Sequence, residues 1–423
     1  MADLIRSWCL EANEKDCPFP LNNLPYGVFS LDGQAPRCGV ALGQTIIDIT
    51  TLAEAGLIRL HPRLFDMPRW NEFMALGPQA WADLRLRLID LFREGGDRSL
   101  RDNEALRHRA LLPMEKAELH PPLRVAEFTD FFSSWHHAHN VGTMFRGADN
   151  AVAANWTHMP VGYNGRASSV VGSGTPVRRP WGQLRHPDRS EPVFAPSRFF
   201  DFELELGAVV GANTEGPLTI AAADEIIFGY VLLNDWSARD IQTWESQPLG
   251  PFQSKATATT IGNWIVSRLA LEQSRVWAER RDDRLLPYLR ESQPMLYDID
   301  LEVTLTPQGG TGSTVTRSNY RHMHYSAAQQ IAHHTLCGCA MRVGDLLGSG
   351  TISGPTSDSL GCMLEMSRNG TQPVMLGDGS VRRFLEDGDT IGIRGAAQQS
   401  DVRIGFGDCV GQIAAAFADP YSR

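Results

Sequence analysis

Apolar residues recur along this chain with two different periods. Residues 25–50, PYGVFSLDGQAPRCGVALGQTIIDIT, hold short β-rich runs broken by Asp-Gly, Ala-Pro and Gly-Gln, which predicts a small hairpin-rich β unit. Over residues 62–95 the period lengthens. Trp70, Phe73 and Met74, followed by Leu84, Leu86, Leu88, Leu91 and Phe92, predict helices closed by Gly95-Gly96. The segment PMEKAELHPP, 113–122, reads as a linker. From 123 onward strand-like runs alternate with Gly/Pro turns: FFDFELELGAVVG, EIIFGYVLLND, DIDLEVTLT, DTIGIRG and VRIGFGDCVG. One helix is predicted among them, SAAQQIAHHTL at 326–336. Many short strands and few helices describe a mostly-β domain, a sandwich, roll or barrel. A chain of 423 residues favours two domains, here 1–118 and 119–423.

Composition narrows the possible functions. Hydrophobic residues make up 42% and charged residues 21%, enough to bury a core. The net charge is −10 with no Lys/Arg cluster, which argues against nucleic acid as a partner; an anionic substrate would need a local basic pocket. Seven scattered cysteines, with only Cys337 and Cys339 close together, do not have zinc-finger spacing and read as reduced thiols. No signal-peptide core and no apolar run of about 18 residues is seen, so the expected setting is cytoplasmic and away from membranes.

Candidate chemistry starts at Asp201-Phe202-Glu203-Leu204-Glu205-Leu206, which alternates strictly. On a strand Glu203 and Glu205 project from one face while Phe202, Leu204 and Leu206 pack behind. Like charges this close call for a neutralising partner, and a hard divalent cation with oxygen ligands is one; a solvated strand face is the other reading. Asp235 ends the apolar run 229–235, and Asp130 follows Thr129 just beyond the linker. Four carboxylates from three segments suffice for one Mg²⁺ or Ca²⁺ site, but spacing alone does not bring them together.

The match to a known family lies in longer blocks. These are 130–142 (DFFSSWHHAHNVG), 160–169 (PVGYNGRASS), 174–180 (GTPVRRP), 234–242 (NDWSARDIQ), 248–252 (PLGPF) and 350–355 (GTISGP). In order and spacing they resemble the signature blocks of the fumarylacetoacetase family, and SWCLEAN and NNLPYGVF resemble its N-terminus. The resemblance implies a mostly-β (α+β) fold, with a small N-terminal SH3-like β-barrel domain and a large C-terminal β-roll domain, assembled as a homodimer. It implies metal-dependent hydrolysis of the carbon–carbon bond of a 1,3-diketo acid, 4-fumarylacetoacetate, in tyrosine and phenylalanine catabolism.

By the same resemblance, Asp130, Glu203, Glu205 and Asp235 bind Mg²⁺ or Ca²⁺, with Thr259 and Lys255 near a second ion position. A protonated lysine cannot ligate a metal, so Lys255 is read as an electrostatic partner. His137 is the implied base, since imidazole titrates near neutral pH, and Glu365 the carboxylate that orients it. Arg239, Gln242 and Lys255 match donors to the oxyanion and the carbon leaving group. Arg146, Tyr163 and Thr351 match the substrate wall, with Arg146 gripping a terminal carboxylate.

Three positions depart from the family pattern: Phe132 and Ser246 where it has Tyr, and Asn164 where it has His. Fewer hydroxyl donors in the pocket lead to an alternative expectation, a related acyl-acetoacetate or acylpyruvate as substrate. Decarboxylation or isomerisation of a keto acid on the same domain is a further alternative. His136, His137 and His139 together could suggest a transition-metal cluster, but the resemblance uses only the middle one. His322 and His324 alternate on an expected strand as a polar face.

Overall fold

The computed structural model describes residues 3–185, 188, 190–279, 284–419 and 421. The hairpin unit forms as expected: Tyr26–Ser30, Arg37–Leu42 and Thr45–Asp48 pair antiparallel in turn. The helical period yields Asn71–Met74 and the 15-residue helix Pro78–Phe92, whose Trp81, Leu84, Leu88, Leu91 and Phe92 are buried. Trp70 anchors this layer on the sheet, its Nε1 donating to the Gly27 carbonyl at 2.7 Å.

The predicted linker is not one. Leu111–Pro113 pairs with Thr45–Asp48, and Glu118–His120 pairs with Tyr26–Ser30. Between these short outer strands Met114–Lys116 forms a helical turn that carries Glu115 and Lys116, and the exposed edges tolerate Pro113 and Glu118.

Among the described residues thirteen strands form one sheet. From Tyr26–Ser30 its path continues through Trp264–Ser267, Ile227–Asp235, Leu204–Val210, Leu346–Gly348 and Phe128–Phe131 to Gly162–Asn164. The N-terminal unit and the later strands therefore share backbone hydrogen bonds. The path runs open from Leu111–Pro113 to Gly162–Asn164, so its pairings do not close a barrel. A five-stranded sheet, including Asp300–Thr306, Thr390–Gln399 and Val402–Ala414, packs alongside.

The Ile227–Asp235 strand is buried throughout. Ile227, Tyr230 and Leu232 enter one hydrophobic core, while Phe228, Val231 and Leu233 enter the other. A strand covered on both faces needs no polar alternation, which is why it reads as a continuous apolar run.

Beyond residue 123 the chain forms more helices than its apolar pattern predicts. The capped helix Ala327–Thr335 stands where expected, with Ser326 and Gln329 forming a capping box. Trp135–Arg146, Ile220–Glu225 and Arg239–Glu245 were not expected. Trp135–Arg146, WHHAHNVGTMFR, is rich in residues of modest helix propensity, and tertiary packing overrides that weak prior.

Candidate active site and cation site

Strand register brings the acidic residues together. Asp130 lies opposite Gly348 on one side and Tyr163 on the other. Glu205 pairs with Leu233 and Asp235 with Thr259. Glu203 precedes the Leu204–Val210 strand, its N–H donating to Asn234 Oδ1 at 3.1 Å. Leu204 and Leu206 pack into the core behind, as the alternation predicted. One oxygen from each of Asp130, Glu203, Glu205 and Asp235 lies within 4.8 Å of the others, and all four residues are buried. A Cβ at position 348 would collide with Asp130 Oδ1 and sit 2.9 Å from Glu205 Oε2, so only glycine leaves the cluster its space.

Charge is unevenly shared within the cluster. Lys255 Nζ lies 2.5 Å from Glu203 Oε2 and 2.8 Å from Asp235 Oδ2. Arg239 reaches Glu203 Oε1 through Nη1 at 2.7 Å and Asp201 Oδ2 through Nε at 2.9 Å. Tyr163 and Thr259 donate their hydroxyls to Asp235 at 3.0 and 2.9 Å. By contrast, Asp130 Oδ1 and Glu205 Oε1 are buried with no hydrogen-bond partner among the described residues.

Burial, reinforced by Asp235, pushes the Asp130 carboxyl well above the usual range; burial and Asp130 do the same to Glu205. Burial also acts on Glu203, but Lys255 and Arg239 outweigh it and hold that group low. Two cations thus face five carboxylates, and the unspent oxygens belong to the two groups without a cationic neighbour. An all-oxygen donor set with such a charge deficit fits a hard divalent ion.

The imidazole stands beside this cluster. Ser134 caps the Trp135–Arg146 helix by accepting from the His137 N–H at 3.2 Å. His137 Nδ1 meets Glu365 Oε2 at 2.6 Å, with both side chains buried. Glu365 also accepts from Asn140 Nδ2 at 2.8 Å and Ser353 Oγ at 2.7 Å, and lies 3.2 Å from Cys362 Sγ. Burial raises the Glu365 carboxyl, but the His137 charge and these donors bring it down to about 2. Asp201 ties the two halves together, accepting from the Met363 and Leu364 N–H groups as well as from Arg239.

A cleft of about 630 Å³ opens over the pair. Its wall holds Asp130, Phe132, His137, Arg146, Tyr163, Glu203, Arg239, Gln242, Ser246, Lys255 and Thr351. Glu205, Asp235, Thr259 and Glu365 stand behind that wall. Arg146 is exposed and donates to the Asn150 and Ala151 carbonyls at 3.1 and 2.6 Å. Gln242 Oε1 accepts from Arg239 Nη1 at 3.2 Å. Ser246 Oγ turns back to the Gln242 carbonyl at 2.5 Å, and Phe132 packs edge-on against His137 with ring centroids 5.2 Å apart. The buried Thr351 Oγ1 and Arg239 Nη2 have no partner among the described residues.

The structure thus brings Asp130, Phe132, His137, Arg146, Tyr163, Glu203, Glu205, Asp235, Arg239, Gln242, Ser246, Lys255, Thr259, Thr351 and Glu365 together at or directly behind this cleft, whereas His136 and His322 lie outside it. Reading by sequence missed Asp201, Asn140, Ser353 and Cys362. Asp201 opened the alternating run, and Asn140 lies one helical step of three from His137. Both signals become legible only once the helix and the Glu365 turn are known to meet.

Fold and site together define a class: a mostly-β protein with a buried cluster of four carboxylates that could hold a metal ion, beside a buried imidazole–carboxylate pair. Residues 128–414 match the family model for the fumarylacetoacetate (FAA) hydrolase C-terminal region, and residues 22–122 that for the fumarylacetoacetase N-terminal region. The chain belongs to the fumarylacetoacetase family. It is 47% identical over 406 residues to the fumarylacetoacetase of Bos taurus, covering 94% of this chain and 97% of that one. It is 46% identical to those of Homo sapiens and Arabidopsis thaliana, covering 97% and 96% of those proteins and 94% of this chain in each case. A solved structure of fumarylacetoacetate hydrolase from psychrophilic Exiguobacterium antarcticum shares the fold, with a TM-score of 0.53, 18% identity, and coverage of 93% of this chain and 99% of that one.

Proposed function

We propose that this chain hydrolyses the carbon–carbon bond of 4-fumarylacetoacetate to fumarate and acetoacetate, a step of tyrosine and phenylalanine catabolism. It is a hydrolase acting on carbon–carbon bonds in ketonic substances. The observation that carries the mechanism is the 2.6 Å contact of His137 Nδ1 with Glu365, beside four converging carboxylates.

Hydrolytic cleavage of a 1,3-diketo acid needs a base for water and donors for the charge that develops on oxygen and on the carbon leaving group. Ionised Glu365 accepts from Nδ1–H of His137, fixing the tautomer in which Nε2 is the basic nitrogen. Nε2 takes the proton of the attacking water, and Glu365 stabilises the imidazolium that results. Asp130, Glu203, Glu205 and Asp235 would hold the divalent cation, Mg²⁺ or Ca²⁺, which when bound polarises the diketo oxygens as a Lewis acid. Lys255 has one N–H beyond the two given to Glu203 and Asp235, and Arg239 has its unpartnered Nη2; both serve developing negative charge at the cleft. Gln242 holds the Arg239 guanidinium in place, and Thr259 orients Asp235. Arg146 supplies the local cation for the substrate carboxylate in an otherwise acidic protein, with Tyr163, Thr351, Phe132 and Ser246 shaping the wall.

The alternative substrates and reactions are not favoured, since the relatives compared above are fumarylacetoacetases along nearly their whole length. Ser246 satisfies its hydroxyl within its own helix end and Phe132 packs on the base, so neither substitution leaves a polar group unmet. Division into domains 1–118 and 119–423, a homodimer and a cytoplasmic setting belong to the same proposal; no described helix is long and apolar enough to cross a membrane.

Steady-state kinetics on His137→Ala test the reading. We expect kcat to fall by about 10²–10⁴-fold while substrate affinity is kept; retained turnover removes His137 as the base.

A further inference from the structure

A second set of metal-binding side chains gathers outside the cleft. His136 is the second residue of the Trp135–Arg146 helix, and His322 ends the short helical turn Tyr320–His322. Glu279 lies in the loop after the Arg275–Val276 strand. One ligand atom from each of the three lies within 4.8 Å of the others. His322 Nδ1 is 3.0 Å from Glu279 Oε1. The His136 and His322 rings meet edge to face with centroids 6.1 Å apart. The Glu279 side chain is 47% exposed and that of His322 17%, so solvent and ions have access.

From this arrangement we propose that His136, Glu279 and His322 form a surface site for a transition-metal ion of the zinc class, separate from the acidic cluster. Two imidazoles and one carboxylate supply three positions of a tetrahedron and leave the fourth to water. Imidazole nitrogen selects Zn²⁺ and its first-row neighbours over Mg²⁺ and Ca²⁺, whereas the buried cluster offers oxygen alone. The two sites therefore sort hard from borderline cations by donor type. An ion here ties the first turn of the helix that carries His137 to two segments remote in sequence.

The histidine triple 136, 137 and 139 is thereby taken apart. His137 serves Glu365 and His139 stacks on Trp135 at 4.7 Å, while His136 finds its companion in His322. His322 is not on a strand face with His324 as expected, because the chain turns at Tyr320–His322 and buries His324.

Calorimetric titration of Zn²⁺ into the metal-stripped full chain tests this, with millimolar Mg²⁺ present to occupy the acidic cluster. The expected result is one equivalent bound with a dissociation constant of about 1 μM or tighter. His322→Ala and His136→Ala should each weaken it by about tenfold or more. Co²⁺ in place of Zn²⁺ should give visible absorption bands in the wild type that His322→Ala lacks. Circular dichroism and turnover in Mg²⁺ verify that His322→Ala is folded. No Zn²⁺ binding in Mg²⁺, or unchanged affinity in either variant, overturns the site and leaves Glu279–His322 as a surface ion pair.

Discussion

At the scale of the residue, Glu365 is set by its neighbours. Four side chains converge on one buried carboxylate: His137, Asn140, Ser353 and Cys362. Burial alone would raise its pKa, yet the charge and donors around it bring it from 4.5 to about 2. A depressed carboxylate contributes stability that is fully present above the unfolded value and is lost as the pH falls through the folded one. Glu365→Gln should therefore cost on the order of 3 kcal/mol near neutral pH, a difference that shrinks below about pH 4.5. Urea midpoints of both proteins across that range measure it; a difference independent of pH would mean that ionisation is not what stabilises the pair. The four carboxylates of the acidic cluster were legible as residues, and Glu203 and Glu205 as same-face neighbours. Their convergence was not, because Asp130 and Asp235 arrive from strands 105 positions apart in the sequence.

At the scale of the element, register and capping place the chemistry. Asp130 faces Gly348 across a parallel pair, and that glycine is required by the space its carboxylate occupies. Gly348→Ala should keep the fold yet weaken divalent-ion binding by about tenfold or more, as a misplaced ligand does. Titration of Mg²⁺ or Ca²⁺ into the variant decides this, and unchanged affinity would separate the cluster from ion binding. The helix of His137 depends on Ser134, whose hydroxyl caps the His137 N–H itself. Ser134→Ala should cost about 1 kcal/mol of stability. It should also lower kcat more than it alters KM, since it loosens His137, the proposed base, and leaves the wall of the cleft in place. Equal loss in both constants would show that the cap does not position His137. This helix escaped detection for a physical reason: histidine, asparagine, glycine and threonine give it weak propensity, and its stability comes from packing on the Glu365 turn.

At the scale of the whole molecule, the sheet that joins the N-terminal unit to the catalytic strands makes the site part of one framework. The proposed cation would join two buried carboxyls, Asp130 and Glu205, that have no cationic neighbour to favour their charged form. Chelation with EDTA should abolish turnover and lower the melting temperature, with Mg²⁺ or Ca²⁺ restoring both. Ion at 100 times its dissociation constant contributes about 2.7 kcal/mol by mass action. Calorimetry with and without added metal reads the shift, and an unchanged melting temperature would mean that the cluster is satisfied without an ion.

The sequence by itself determined the strand-rich character, the hairpins of the first unit, the alternation that sends Glu203 and Glu205 to one face, and the family with its implied site residues. These depend on period, turn chemistry and local order, all written along the chain. Only the tertiary structure decided that the apparent linker adds the strand Glu118–His120 to the sheet, that Asp201 braces the arginine to the Glu365 turn, and that His136 meets His322. Those contacts join segments far apart in the chain, and sheet register and packing, not local pattern, choose which side chains come within bonding distance.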